Sequence, residues 1–109
     1  MSHKKSKRNA EKPKARARAF AALGDRTRLK LVARLCSSEP CSITQLANDS
    51  KLTRQAITKH LRVLERAGIV RSEHAGRERL FEFDPAWMKG LTEYLESISA
   101  QWDKARPRD

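Results

Sequence analysis

The sequence predicts a mainly α-helical domain carrying one β-hairpin, and three observations lead there. Apolar residues recur at helical spacing in successive short segments up to Ala67, separated by Gly24, Pro40 and Gly68. The period then falls to two between Ile69 and Phe83, on either side of Gly76. From Pro85 the helical period returns and runs to the neighbourhood of Pro107.

Each element has its own justification. The Ala-rich run Ala15–Leu23, with Phe20 and Leu23 on one face, is a short helix ended by Gly24. Asp25 caps a second helix to about Ser37, with Leu29, Val32, Ala33 and Leu35 as its apolar set. Ser42 caps a third, which buries Ile43, Leu46 and Ala47. Asp49, Ser50 and Lys51 then make a tight turn plugged by Leu52. Thr53 caps a fourth helix through Arg66, with Ile57, Leu61 and Leu64 facing inward. Ile69-Val70 opens a strand, Ala75-Gly76-Arg77 turns, and Arg79–Phe83 returns. Asp84 caps the last helix, Pro85 takes its first position, and Trp87, Met88, Leu91, Tyr94, Leu95, Ile98 and Trp102 give it a broad apolar face. The expected division is a basic arm over residues 1–14, one folded domain over 15–106 and a tail over 107–109.

Composition narrows the function classes. The chain has 109 residues, of which 24 are Lys or Arg and 13 Asp or Glu, for a net charge of +11. That length suits one small domain with a modest core, for which a second copy commonly supplies missing burial. No apolar run is long enough to span a bilayer, so no membrane partner is expected. Two cysteines make no disulfide framework, which points to a reducing, cytoplasmic setting. No Ser/His/Asp set, phosphate-cradling glycine loop or paired-carboxylate cleft is present, so the chain does not read as an enzyme, and no cofactor is expected. The charge is uneven: residues 1–18 carry +7, 19–50 carry +1, 51–79 carry +5 and 80–109 carry −2. Such an excess calls for a polyanion. For the arm, with Lys4, Lys5, Lys7, Arg8, Lys12 and Lys14, two readings stay open: a solubility tail, or a segment that follows DNA phosphates.

The inner basic segment is the informative one. Two capped helices joined by a tight turn, the second long and basic, form a helix-turn-helix, and the hairpin after it adds a wing. With Ile57, Leu61 and Leu64 turned inward, Arg54, Gln55, Thr58, Lys59 and Arg62 take the outer face of the fourth helix. Arg grips a guanine edge and Gln an adenine edge. Thr53, Thr58 and Lys59 suit phosphates. In the wing, Arg71, His74, Arg77 and Arg79 flank Gly76, with Arg77 at the tip and Arg79 beside it as the expected contacts to double-stranded DNA.

The stretch Phe20–Phe83 resembles the ArsR/SmtB family of winged helix-turn-helix repressors. The resemblance rests on Leu23-Gly24-Asp25-Arg26-Thr27-Arg28, Leu46-Ala47, Leu52-Thr53, Ala56–Leu64, Ala67–Val70 and Gly76–Phe81. It implies a homodimer on a pseudo-palindromic operator, with recognition helices in the major groove, wings at the minor groove or phosphates, and promoters repressed by occlusion until an inducer releases the protein. It also implies that the first and last helices form the dimer interface, here through Phe20, Leu23, Trp87, Leu91, Leu95, Ile98 and Trp102. The family's metal ligands are replaced: its third-helix cysteines fall on Ser42 and Thr44, and its last-helix ligands near Pro85 and Trp87, so no metal is expected. Cys36 and Cys41, five apart across Pro40, have a possible redox-pair reading beside the commoner one of small buried hydrophobes. His60 reads as a structural residue of the fourth helix. Two other functions compete with a sequence-specific repressor: a nonspecific nucleic-acid module, and a winged-helix subunit that needs a small sensor protein.

The division of labour between arm and helix has a direct test in duplex binding at several salt concentrations. Replacing Lys4, Lys5, Lys7 and Arg8 should weaken all duplexes alike and flatten the salt slope, whereas Arg62→Ala or Gln55→Ala should relax base preference.

Overall fold

A computed structural model of the chain describes residues 13–106. The tail over 107–109 and all but the last two residues of the expected arm lie outside that range. The elements are α1 (Pro13–Leu23), α2 (Arg26–Cys36), β1 (Cys41–Ser42), α3 (Ile43–Asn48), α4 (Arg54–Arg66), β2 (Val70–Ala75), β3 (Glu78–Phe83) and α5 (Pro85–Ala105). This is the expected order with one addition, the two-residue strand β1. It pairs antiparallel with β3, Cys41 opposite Phe81 and Ser42 opposite Leu80, so β3 becomes the central strand of a three-stranded sheet.

Side-chain caps set where four of the helices begin. Asp25, Ser42, Thr53 and Asp84 each accept a hydrogen bond from a backbone N–H in the first turn of the helix that follows. Ser42 does so within a capping box: its Oγ accepts from Gln45 N at 3.1 Å, and Gln45 Oε1 accepts from Ser42 N at 2.8 Å. The end of α4 is a Schellman motif. Gly68, at φ +80°, donates to Glu65 O, and Ile69 donates to Leu64 O, both at 3.0 Å. That left-handed residue turns the chain from helix into strand, and Asp84 N closes the hairpin base on Ile69 O at 2.9 Å.

The core gathers around α4. Ile57, Leu61 and Leu64 are fully buried against Leu31 and Leu35 of α2, Leu46 of α3, Ile69, Val70 and Phe81 of the sheet, and Trp87 and Leu91 of α5. Leu52 packs against this core at the turn, as expected. Two helices present faces different from those expected. In α1 the buried residues are Ala19 and Ala22, while Phe20 is exposed and its ring lies 6.2 Å from Tyr94 of α5. In α2 they are Leu31 and Leu35, with Leu29 and Ala33 outside. Short helices with apolar residues on several sides have no unique amphipathic phase, and the small alanines allow α1 to approach closely.

Asp25 shows how a cap responds to pH. Its carboxyl is held below the ordinary value, first by the hydrogen bond from the Arg28 backbone N–H and further by the charges of Arg28 and His60. A carboxylate depressed in the folded state stabilises the fold above its unfolded pKa and loses that contribution as pH falls through the folded one. Urea denaturation from pH 6 to pH 3 should therefore show a steeper loss in the wild type than in Asp25→Asn. Parallel curves would count against an ionic cap.

Candidate nucleic-acid interface

With Ile57, Leu61 and Leu64 locked into the core, the helical repeat of ~100° per residue leaves no choice about what α4 shows to solvent. Arg54, Gln55, Lys59 and Arg62 are exposed there and Thr58 is half-buried, so the structure brings the expected outer-face set together. The acidic residue on α4, Glu65, lies near the helix end and accepts a hydrogen bond from Ser72 Oγ at 2.7 Å. The first three turns thus present cations and amides without a carboxylate among them.

The two threonines have structural duties first. Thr53 Oγ1 accepts from Ala56 N at 3.1 Å as the N-cap, which leaves its own O–H able to donate to a phosphate. Thr58 Oγ1 donates to Arg54 O at 2.7 Å, so what it offers outward is chiefly its methyl group. That methyl suits a thymine better than a phosphate, a shift from the role expected of Thr58.

The wing divides its basic residues between structure and surface. The hairpin turn needs Gly76 at φ +66° while Arg77 keeps a negative φ, the signature of a II′ turn that matches strand twist. Arg71 is held across the strands by Glu82 at 2.8 Å, with Asp84 at 3.8 Å, and the Glu82 hydrogen bond pushes its pKa further up. Arg79 is also engaged: Nη1 donates to Ser72 Oγ at 2.8 Å and Nη2 to His74 Nε2 at 2.7 Å. Through Ser72 this chain reaches Glu65 and ties the wing to the end of α4. Arg79, expected to be a DNA contact, is thus exposed but hydrogen-bonded within the wing. Arg77 at the tip forms no hydrogen bond or ion pair among the described residues.

A second network braces α4 from the opposite side. Arg28 Nε donates to Ala22 O at 2.6 Å, and Arg28 Nη1 lies 3.3 Å from His60 Nδ1, which accepts while the imidazole is neutral, because a guanidinium only donates. Asp25 Oδ2 lies 3.9 Å from the same ring nitrogen. His60 joins the recognition helix to the junction of α1 and α2. On the outside, Arg34 forms a two-nitrogen contact with Asp49 at 2.7 and 3.0 Å, fixing the turn between α3 and α4 to α2. Sequence reasoning missed these arginine roles because their partners lie far away in the chain.

The remaining expected residues separate into distinct environments. Trp87 and Leu91, expected at a dimer interface, are only 8% and 5% exposed and belong to the core of their own chain. The reason is local: α5 starts directly after β3, so its first two turns fall back on the sheet, with Trp87 edge-on to Phe83 at 5.4 Å. Leu23 is half-buried, while Phe20, Leu95, Ile98 and Trp102 remain exposed. Cys36 and Cys41 are both free thiols. Cys41 is buried and its Sγ donates to Glu39 O at 3.3 Å, whereas Cys36 is exposed at the end of α2, with its pKa raised by partial desolvation. Among the described residues no group of three or more His, Cys, Asp or Glu converges as metal ligands, and no helix is long and apolar enough to cross a membrane.

The split within the wing is testable. Arg77→Ala should weaken duplex binding and leave the melting temperature unchanged. Arg79→Ala should also change the melting temperature little, but it should speed amide hydrogen exchange in β2 and β3, because it releases Ser72 and His74 together. Paired anisotropy and hydrogen-exchange measurements distinguish the two.

Residues 23–73 match the model of a helix-turn-helix domain family. The chain is 34% identical to the HTH-type transcriptional regulator Rv2034 of Mycobacterium tuberculosis, over 79% of this chain and 91% of that one. Among solved structures, an ArsR-like transcriptional regulator from Rhodococcus sp. RHA1 superposes with a TM-score of 0.74 at 37% identity, covering 82% of this chain and 83% of the other. The homodimeric winged helix-turn-helix domain of Mb0332 from Mycobacterium bovis shares the fold at 13% identity, with a TM-score of 0.64 and 88% of each chain covered. A recognition helix with a basic outer face, a braced wing and these relatives lead to one conclusion: the chain is a DNA-binding transcriptional regulator and belongs to the ArsR family of winged helix-turn-helix proteins.

Proposed function

We propose that this regulator is a cytoplasmic repressor that binds a pseudo-palindromic operator as a homodimer and occludes the promoter. The observation that carries the reading is the outer face of α4, where Arg54, Gln55, Lys59 and Arg62 stand exposed with no carboxylate among them. In this reading Arg54, Gln55 and Arg62 meet base edges, Thr58 adds its methyl, and Thr53 and Lys59 hold phosphates. Arg77 reaches the adjacent minor groove or its phosphates, and Arg79 acts by positioning it.

Dimerisation is supported by α5. The helix has 21 residues, about 31 Å at 1.5 Å per residue, yet its buried residues, Trp87 and Leu91, lie in the first two turns. Beyond them Leu95 is 52% and Trp102 58% exposed, with Ile98 between them and Phe20 of α1 nearby on Tyr94. An apolar stripe of this length on a small basic chain is suited to a second copy. Two-fold pairing would present two recognition helices to half-sites about one helical turn apart.

Fluorescence anisotropy on a duplex from the gene's own upstream region and on a shuffled duplex tests both parts. Specific recognition predicts a ratio of about a thousand or more between them, and Arg62→Ala should reduce discrimination by roughly 1–3 kcal/mol. Leu95→Glu combined with Trp102→Glu should give a monomer in sedimentation and abolish tight operator binding. Equal, steeply salt-dependent affinity for both duplexes would instead identify a nonspecific nucleic-acid module.

A further inference from the structure

Beside the C-terminal end of the outer face of α4, one turn beyond Arg62, an open-sided cavity of about 610 Å³ lies between three helices. Arg18, Ala21 and Ala22 of α1 form one wall, Arg28 of α2 a second, and Val63 and Arg66 of α4 a third. The helical repeat explains the convergence, since positions three and four apart share a face on α1, as do positions three apart on α4. Three guanidinium groups therefore surround a floor of two alanines and a valine. No carboxylate lines the cavity; Asp25 offsets part of the charge of Arg28, while Arg18 and Arg66 form no ion pair among the described residues.

We propose that this cavity is an effector site for a small organic anion, a carboxylate carried on an apolar body. Three cations held around one cavity repel each other, and an anion among them relieves that repulsion. The planar fork of arginine matches a carboxylate through two parallel hydrogen bonds. The apolar floor takes the body of the ligand, and the volume lies in the range of small-molecule pockets. Arg66 uses Nε on Arg62 O at 3.3 Å, and its terminal nitrogens are uncommitted among the described residues.

The site has a built-in route to the DNA-reading helix. Arg28, which lines the cavity, also donates to His60 on α4 at 3.3 Å. A carboxylate in the cavity is a stronger acceptor than the imidazole and draws Arg28 away from it. The brace between α2 and α4 then loosens, so occupancy lowers affinity for DNA. This coupling, unlike the site itself, rests on the recognition-helix reading above. It follows from differential binding: an anion that binds better when Arg28 is released must favour the state in which α4 is less firmly held.

Calorimetric titration of the full chain without DNA tests the site. Sodium octanoate is the probe, with acetate (charge without body), octyl glucoside below micelle formation (body without charge) and inorganic phosphate as comparators. Octanoate should saturate at one per chain and bind at least about tenfold more tightly than each comparator. Arg18→Gln combined with Arg66→Gln should lower octanoate affinity by a similar factor. Unchanged octanoate binding in that variant, or comparator binding as tight as octanoate, would overturn the site. An equal loss of upstream-duplex affinity in the variant would overturn it too, by making the cavity a contact for DNA phosphates. The coupling is read separately, by adding octanoate to the protein–duplex complex. Release from the wild type but not from the double variant supports it, and octanoate binding without release overturns the coupling while leaving the site standing.

Discussion

Everything in this molecule depends on how α4 is seated. Ile57, Leu61 and Leu64 are completely excluded from water, and each of the other helices, together with the sheet, contributes to the core around them. Full burial of one such side chain is worth about 1.5–3 kcal/mol, so three in one helix outweigh any single surface contact made elsewhere in the chain. Because the inner face is fixed this firmly, the outer face is fixed as well. A rotation of α4 by one residue would expose two of these side chains and bury Arg54 or Arg62. The basic surface is therefore a by-product of hydrophobic packing, and its accuracy is set by the core.

Around that seat the polar contacts divide into struts. Arg28 and His60 hold α4 to the α1–α2 junction, and Arg34 and Asp49 hold the turn that precedes it. Glu65, Ser72, Arg79 and His74 hold its far end to the wing. These pairs are largely exposed, and contacts of this kind add little to stability. Their effect is geometric. Arg28, Arg34 and Arg79 serve to fix orientation, whereas the side chains of Arg54, Lys59, Arg62 and Arg77 make no such contact among the described residues.

Much of the fold was legible because its signals are local. Asp25, Ser42, Thr53 and Asp84 are each short polar side chains placed just before an apolar period, and each caps a helix. Gly68 and Gly76 sit where the backbone needs positive φ. The outer face of α4 followed from the same logic, since three inward positions at the right spacing define the rest of the helix. What was not legible is non-local. Nothing in Cys41-Ser42 announces a strand, because its partner Phe81-Leu80 lies some forty residues away. The duty of Arg79 depends on Ser72 and His74 across the hairpin. Trp87 and Leu91 share a helical stripe with Leu95 and Ile98, and periodicity alone cannot tell where the chain's own core ends along it.

The central position of β3 has one more consequence. On one edge β3 carries the wing partner β2, and on the other it pairs with Cys41 and Ser42 at the start of α3. The wing is therefore not a free flap. Its base shares backbone hydrogen bonds with the entrance to the helix-turn-helix, and its middle is tied to the exit of α4. Helix and wing behave as the two jaws of a caliper whose opening is set by a single sheet. A duplex held between them must bring its grooves to that spacing, so the energy of bending or narrowing the DNA falls on the nucleic acid. Sites that deform easily to the required width are favoured even at base pairs that no side chain touches.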